Sequence, residues 1–334
     1  MAASRSVDPA RRQEAFEALM GQISGRFTRV EPRRRAWNLV LGLLSDLPRK
    51  NCWSIAEWAG EASPDGMQHL LGRARWNADR VRDDVREYVL EHLHDEDAVL
   101  VVDETGDVKK GTHTVGVQRQ YTGTAGRIEN AQVAVYLVYT GRPGHAAVDR
   151  ELYIPRSWTC DPDRCRAAGL GEDTVFATKP ELAARMIGRF LDAGHRVGWV
   201  AGGRGLRRQP EAAVRAGRAR HRLRACRRLL SRSHHRRREV PRGYPGREGT
   251  EAGLAEAVGR TGAKGHRFYD WALIDLPNPR PGSHQLLIRR NRTTGELAYY
   301  RCWSPTPAPL TTLVRAAGSR WRVEETFQAG KGLA

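Results

Sequence analysis

The first 96 residues space their apolar side chains as amphipathic helices do. This spacing predicts helices at Ala15–Phe27, Arg35–Leu44, Ser54–Ala59, Asp65–Arg75 and Arg80–Leu93. The third and fourth helices, which flank a turn from Gly60 to Pro64, are consistent with a helix–turn–helix that reads DNA. An ordinary helical hairpin in a bundle explains the same pattern, so both interpretations stay open.

From Ala98 onward the pattern changes to the short apolar runs and alternation that are typical of strands. The wholly apolar run Ala98–Val102 predicts a buried strand, which ends at the acidic residue Asp103. Further strands are expected at Thr114–Tyr121, Ala131–Thr140 and Val197–Ala201, a sheet margin at Arg150–Ser157, and a helix at Lys179–Ala193. Three strands, a helix and a further strand, with an acid where the first strand ends, predict an α/β ribonuclease-H-like core.

Strand-like alternation returns near the end of the chain, at Phe268–Leu276, Gln285–Arg290 and Glu296–Trp303. Two closing helices are predicted at Leu310–Ala316 and Arg320–Ala329, with Ser319 as the N-cap of the second. We therefore expect five segments: a helical N-terminal domain at 1–96, the first part of the core at 97–202, an Arg-rich segment at 203–260, a β-rich insertion at 261–308, and core helices at 309–334.

Basic charge is concentrated in one stretch of the chain. The net charge is +18, and Arg204–Arg247 contributes +14 of it through 16 arginines and only two acids. The rest of the chain is therefore nearly neutral. Such an arginine run favours a polyanionic partner, nucleic acid before lipid, although an unselected segment would also explain it.

Export and membrane insertion are not indicated by the sequence. No apolar run is long enough to span a bilayer, and Met1–Phe16 is polar and carries arginine. The five cysteines are scattered, as expected of free thiols in a reducing compartment. The sequence thus predicts a cytoplasmic protein.

Two separated blocks of residues resemble DDE transposases of bacterial insertion sequences, most closely the insertion-sequence family 701 group. Ser319–Lys331 resembles the family signature Arg-Trp-x-Ile/Val-Glu-(x6)-Lys, and Val101–Lys110 resembles the block around the family's first catalytic strand. Thr122–Tyr139 and Glu151–Thr178 also look like the family. The resemblance covers nearly the whole chain except about residues 203–260.

The resemblance implies Mg²⁺-dependent cleavage and transfer of DNA strands. In such enzymes two Mg²⁺ ions, about 3.5–4 Å apart, activate the nucleophile and stabilise the leaving oxygen. By resemblance Asp103 and Glu324 are catalytic metal ligands, and Arg320 and Lys331 contact DNA phosphates. From the residues alone, Asp103 could equally cap a turn, and Arg320 could pair with Glu324 one helical turn away. The family also implies double-stranded DNA, the element ends, as the partner, and leaves a homodimer open.

The family's second catalytic Asp is missing from this chain. After Val197–Gly202 the family continues Asp-Glu-Val-Tyr-Gly-Gly, whereas this chain continues Gly203-Arg204-Gly205-Leu206. Suitable codons for 203–211, read one base later, spell the family text. We therefore expect residues 203–260 to be out of frame and disordered, and the chain to be truncated at its C-terminal end. Asp270 and Asp275 are weaker candidates for a substitute carboxylate.

The sequence thus predicts a catalytically inactive DDE transposase with an incomplete metal site. One alternative is a non-catalytic DNA-binding remnant that uses the N-terminal helices and the arginine run. Another is a misread gene whose true product keeps the Asp.

Overall fold

The structure is a computed structural model that divides into two compact units, Met1–His94 with Glu325–Ala334, and Asp95–Glu324. It describes residues 8–203, 229–233, 261–262, 265–266, 268–279 and 281–333. Most of the Arg-rich segment predicted to be disordered therefore lies outside the described residues. Among the helices described, none is long and apolar enough to cross a membrane.

The first unit is helical, as the apolar spacing predicted. Its helices are α1 Pro9–Ser24, α2 Val30–Leu44, α3 Cys52–Trp58, α4 Asp65–Gly72 and α5 Ala78–His92. Several begin a few residues before the apolar pattern does, because polar residues can supply the first turn. Asp8, for example, accepts a hydrogen bond from the Ala10 N–H and so caps α1.

The two short helices α3 and α4 form the predicted pair. Ile55 of α3 and Met67 of α4 are both almost completely buried in a shared apolar cluster. Between the helices, Gly60 has φ of 75°, a left-handed conformation that glycine adopts without strain. The ion pair of Arg35 with Glu61 ties α2 to this turn, at 3.1 Å.

The second unit is built on one mixed sheet, and nine strands join it within the described part of the chain. Five of them are β1 Val99–Val108, β2 Gln118–Thr122, β3 Arg127–Thr140, β4 His145–Leu152 and β5 Trp199–Gly202. Strand β1 pairs antiparallel with β3 on one side and parallel with β5 on the other. Strand β3 also pairs antiparallel with β2 and β4, so every pair on that side of β1 is antiparallel.

A strand inside the Arg-rich segment extends this sheet. Strand β6, Leu229–Ser233, runs parallel to β5, a pairing that the sequence did not predict. The short apolar pair at its start is surrounded by arginine, which obscured the strand pattern.

Three of the five strands described after residue 260 belong to the same sheet. Two short strands, β7 Thr261–Gly262 and β8 Gly265–His266, pair only with each other. The next three are β9 Tyr269–Asp275, β10 Ser283–Asn291 and β11 Leu297–Ser304, close to the predicted positions. Strand β11 pairs antiparallel with β6 and thereby joins these three strands to the core.

Five more helices are described after β4, and the last of them extends beyond the end of the second unit at Glu324. They are α6 Arg156–Thr159, α7 Pro162–Ala167, α8 Lys179–Asp192, α9 Leu310–Ser319 and α10 Trp321–Leu333. Ser319 was predicted to cap the last helix, and that prediction is wrong. Its hydroxyl donates to the Arg315 carbonyl at 3.0 Å, because α9 continues to Ser319. Arg320 is the single residue between α9 and α10.

Candidate functional site

Asp103 lies in β1 where that strand passes the end of β5. The preceding residues Val99–Val102 are buried, and the register pairs Val102 with Gly202 of β5. Because the two strands are parallel, the residues that follow this pair, Asp103 and Gly203, lie side by side. A Cβ atom built on Gly203 would be 3.1 Å from Asp103 Oδ1. A side chain at position 203, where the resemblance implies the family's second Asp, would therefore contact Asp103.

A guanidinium group occupies the other side of the Asp103 carboxylate. Arg320 Nη2 donates to Asp103 Oδ2 at 2.9 Å, and the two side chains are only 16% and 19% exposed. Asp103 Oδ1 accepts the N–H of Glu104 at 3.0 Å. Arg320 Nε is buried and has no hydrogen-bond partner among the described residues. The carboxylate is thus paired with one positive charge, while part of that guanidinium lacks an acceptor.

The neighbouring residue Glu104 has its own cation. Lys179 Nζ, in the first turn of α8, donates to Glu104 Oε1 at 2.9 Å, and it lies 5.3 Å from the centre of the Tyr153 ring. Burial, with a smaller contribution from the charge of Glu104, raises the pKa of Tyr153. Successive strand residues point to opposite faces of a sheet. Glu104 therefore pairs with Lys179 of α8 on one face, and Asp103 pairs with Arg320 between α9 and α10 on the other.

The other two predicted site residues, Glu324 and Lys331, both belong to α10. Glu324 is exposed in the first turn of α10, and no hydrogen bond or ion pair between described residues links it to Asp103. Lys331 is exposed in the last turn of the same helix. Of the four predicted residues, the structure therefore joins Asp103 and Arg320 directly.

The two weaker carboxylate candidates are engaged elsewhere. Asp270 accepts hydrogen bonds from Arg290 and Arg292, which lower the pKa of its carboxyl group. Asp275 accepts from the Gln285 side chain at 3.0 Å. In the part of the chain that the structure describes, no three His, Cys, Asp or Glu side chains come together as a metal site.

A second Arg–Asp pair fixes helix α9 to the start of β1, and sequence reasoning missed it. Arg315 Nη1 lies 2.8 Å from Asp97 Oδ2, and Arg142 also reaches that oxygen, at 3.0 Å. The Arg315 hydrogen bond lowers the pKa of the Asp97 carboxyl group. Arg315 and Arg320 thus bind acids just before β1 and within it. The only sequence signal was two arginines five residues apart, which by itself assigns no partner.

Comparison with known proteins decides the family. The sequence profile described as "DDE superfamily endonuclease" matches residues 22–248, more than half of the chain. This chain belongs to the DDE superfamily endonucleases. The family resemblance inferred from the sequence is thereby confirmed, and the profile also covers residues 203–248, which that resemblance had excluded. The match begins within α1, so the DDE profile covers most of the N-terminal helices as well as strands β1–β6.

A curated relative points in the same direction. The chain is 34% identical over 164 residues to the "Probable transposase for insertion sequence element IS701" of Microchaete diplosiphon. The aligned part is 48% of this chain and 40% of the relative. The chain therefore spans less than half of the length of the curated transposase that it matches.

Proposed function

We propose that this chain is a DDE transposase of the IS701 group whose substrate is double-stranded DNA, and that its present sequence cannot cleave that DNA. The observation that carries the proposal is the placement of Gly203 against Asp103. The register of β1 and β5 brings the two positions together, and a Cβ at 203 would lie 3.1 Å from the Asp103 carboxylate. A carboxylate at 203 could bind the same metal ion as Asp103, whereas glycine supplies no side-chain ligand.

The sheet supports a ribonuclease-H-like core for this transposase. Strands β4, β3, β1, β5 and β6 lie in that order, with β1 antiparallel to β3 and parallel to β5, and β5 parallel to β6. Asp103 lies in the central strand of this set. This topology favours a core that presents acids from β1 and β5 at one edge, which is how carboxylates from separate elements converge on metal ions.

The residues present do not fit the two Mg²⁺ ions that the family implies. Mg²⁺ requires oxygen ligands in octahedral geometry, and two ions need several carboxylates. Here Asp103 faces a glycine on one side and a guanidinium on the other, and a guanidinium only donates hydrogen bonds. Asp103 and Glu324 remain our assignment for the ancestral ligands, and Arg320 and Lys331 for the ancestral phosphate contacts.

A frame change in the gene accounts for the glycine. Suitable codons for 203–211 spell the family's Asp-Glu-Val-Tyr-Gly-Gly when they are read one base later, and shifted G+C-rich codons produce excess arginine. Sequencing the DNA over codons 200–262 tests this directly. An uninterrupted frame in which only codon 203 had changed would contradict it.

DNA cleavage tests the proposed loss of activity. The probe is a supercoiled plasmid that carries the gene with its flanking DNA, incubated with purified protein and Mg²⁺ or Mn²⁺. We expect that the unmodified chain does not cut the plasmid specifically. A repaired protein, made from a gene with one base deleted at codon 203 and the downstream frame restored, is expected to cut it. Specific cutting by the unrepaired chain that Asp103→Ala abolishes would refute the proposal. Retention of the DNA without cutting would instead indicate the non-catalytic DNA-binding alternative.

A further inference from the structure

Arg320 and Asp103 come from positions 217 residues apart in the chain and meet at 2.9 Å in a mostly buried setting. We propose that Arg320 is the built-in counter-cation of Asp103, and that its guanidinium keeps divalent metal ions out of this site. The assignment differs from a phosphate contact, because the Arg320 Nη2 donor is bonded to Asp103. The proposal rests on the proposed function only for the identity of the site.

The pairing has a physical reason in this chain. A carboxylate that is four-fifths buried requires a compensating charge, since an unpaired buried ion is costly. A single carboxylate is a poor Mg²⁺ site, but it is sufficient for one charge-assisted hydrogen bond from arginine. With glycine at 203, Asp103 is therefore expected to bind the guanidinium in preference to Mg²⁺.

Helix α9 delivers the guanidinium from a fixed position. Its residue Arg315 pairs with Asp97, just before β1, while Arg320, directly after the helix, pairs with Asp103 within β1. Arg320 has helical dihedral angles, φ −58° and ψ −28°, so it continues the geometry of α9. Two arginines thus attach the C-terminal end of α9 to the segment that contains Asp97 and β1. The guanidinium at Asp103 is therefore held in place by the fold.

The structure also indicates how the site would change if the acid returned. A Cβ atom at position 203 would lie 3.1 Å from Asp103 Oδ1 and 3.5 Å from Arg320 Nη2. The carboxylate of Gly203→Asp would therefore reach the same guanidinium, whose Nε has no hydrogen-bond partner among the described residues. We expect Arg320 to compete with a metal ion for both acids.

Binding of Mn²⁺ alone, followed by the electron paramagnetic resonance signal of the free ion, tests this competition in the full chain. The variants are G203D, R320Q and G203D/R320Q. We expect no Asp103-dependent binding by the unmodified chain or by R320Q. We expect G203D/R320Q to bind at least about 10-fold more tightly than G203D, the lower end of the range for perturbing groups around a metal site. Adding Asp103→Asn to the double variant is expected to remove that gain.

A matched variant controls for loss of the helix contact. Arg315→Gln breaks the other Arg–Asp pair of α9, and G203D/R315Q is expected to bind Mn²⁺ no more tightly than G203D. If G203D/R320Q does not fold by circular dichroism, G203D/R320M, which keeps an unbranched side chain without the charge, replaces it and is expected to bind Mn²⁺ more tightly than G203D. Equal affinity of G203D and the folded double variant would overturn the proposal, as would Mn²⁺ binding by the unmodified chain that Asp103→Asn abolishes. The readout contains no DNA, so it can fail or succeed independently of the cleavage assay.

Discussion

Helix α8 is attached to strand β4 by an arginine whose removal should be costly. Arg189 donates from Nε and Nη2 to the two oxygens of Asp149, at 3.0 and 3.1 Å, and from Nη1 to Glu151 at 2.6 Å. The Asp149 side chain is 1% exposed. Arg189→Ala would leave that carboxylate buried without its guanidinium partner, although the N–H of Arg150, at 2.8 Å, would still donate to it.

The magnitude follows from the burial of the stranded charge. Removing one partner of a buried ion pair costs about 3–5 kcal/mol. The Arg189 side chain is itself 31% exposed, so water can reach part of the gap, and we expect about 3 kcal/mol, the lower end of that range. The free energy of unfolding falls by about 1–3 kcal/mol per M urea. In urea unfolding followed by circular dichroism, the loss of about 3 kcal/mol therefore lowers the unfolding midpoint by about 1 M or more.

Two further variants separate the stranded charge from lost packing. Asp149→Asn together with Arg189→Ala removes both charges, and we expect it to be more stable than Arg189→Ala alone. Arg142→Ala breaks a pair whose arginine is 73% exposed, and it is expected to cost less than about 1 kcal/mol. The reasoning is refuted if Arg189→Ala unfolds at the same urea concentration as the unmodified chain.

Three other predictions concern pH, thiol reactivity and backbone conformation. The Arg315 hydrogen bond holds the pKa of Asp97 below its ordinary value of about 3.9, so its stabilisation exists above that pH and is lost as the pH falls through the lowered pKa. The stability difference between the unmodified chain and Arg315→Gln, measured by urea unfolding, should therefore be present at pH 7 and shrink below about pH 4. Burial raises the pKa of Cys302 to about 12, whereas Cys160 is exposed. At pH 8, Cys160→Ser should remove one thiol that reacts quickly with Ellman's reagent, and Cys302→Ala should remove none. Gly116 has φ of 73° and its added Cβ would lie 2.9 Å from a backbone oxygen, so Gly116→Ala should cost about 1–3 kcal/mol in thermal unfolding.

Local patterns were sufficient to predict most elements. The helices of the first unit and strands β1, β3, β5 and β9–β11 have burial periods that can be read from their own residues. The apolar run before Asp103 correctly predicted the first half of β1. Strand β1 nevertheless continues to Val108, because its polar second half also pairs with β3. The residues of one strand do not reveal which strand it pairs with, so this extension could not be predicted.

The candidate site could be predicted only in part, because it depends on contacts between distant segments. Spacing on the last helix grouped Arg320 with Glu324, whereas the fold pairs Arg320 with Asp103. The missing acid at 203 was visible in the sequence, but its closeness to Asp103 required the register of β1 and β5. Strand β6 was missed for a similar reason, since its pairing with β5 and β11 is not encoded in its composition.

The position of β1 in the sheet has a consequence for synthesis of the protein. Its antiparallel neighbour β3 follows within a short stretch of chain, but its parallel neighbour β5 lies about one hundred residues later. On the ribosome, β1 and β3 can therefore pair while the other edge of β1, the one carrying Val99–Val102, still has unpaired backbone groups. Such an open apolar edge invites pairing with another chain until β5 emerges. Slow translation or scarce chaperones during that interval should consequently lower the yield of folded protein more than any property of the finished molecule would suggest.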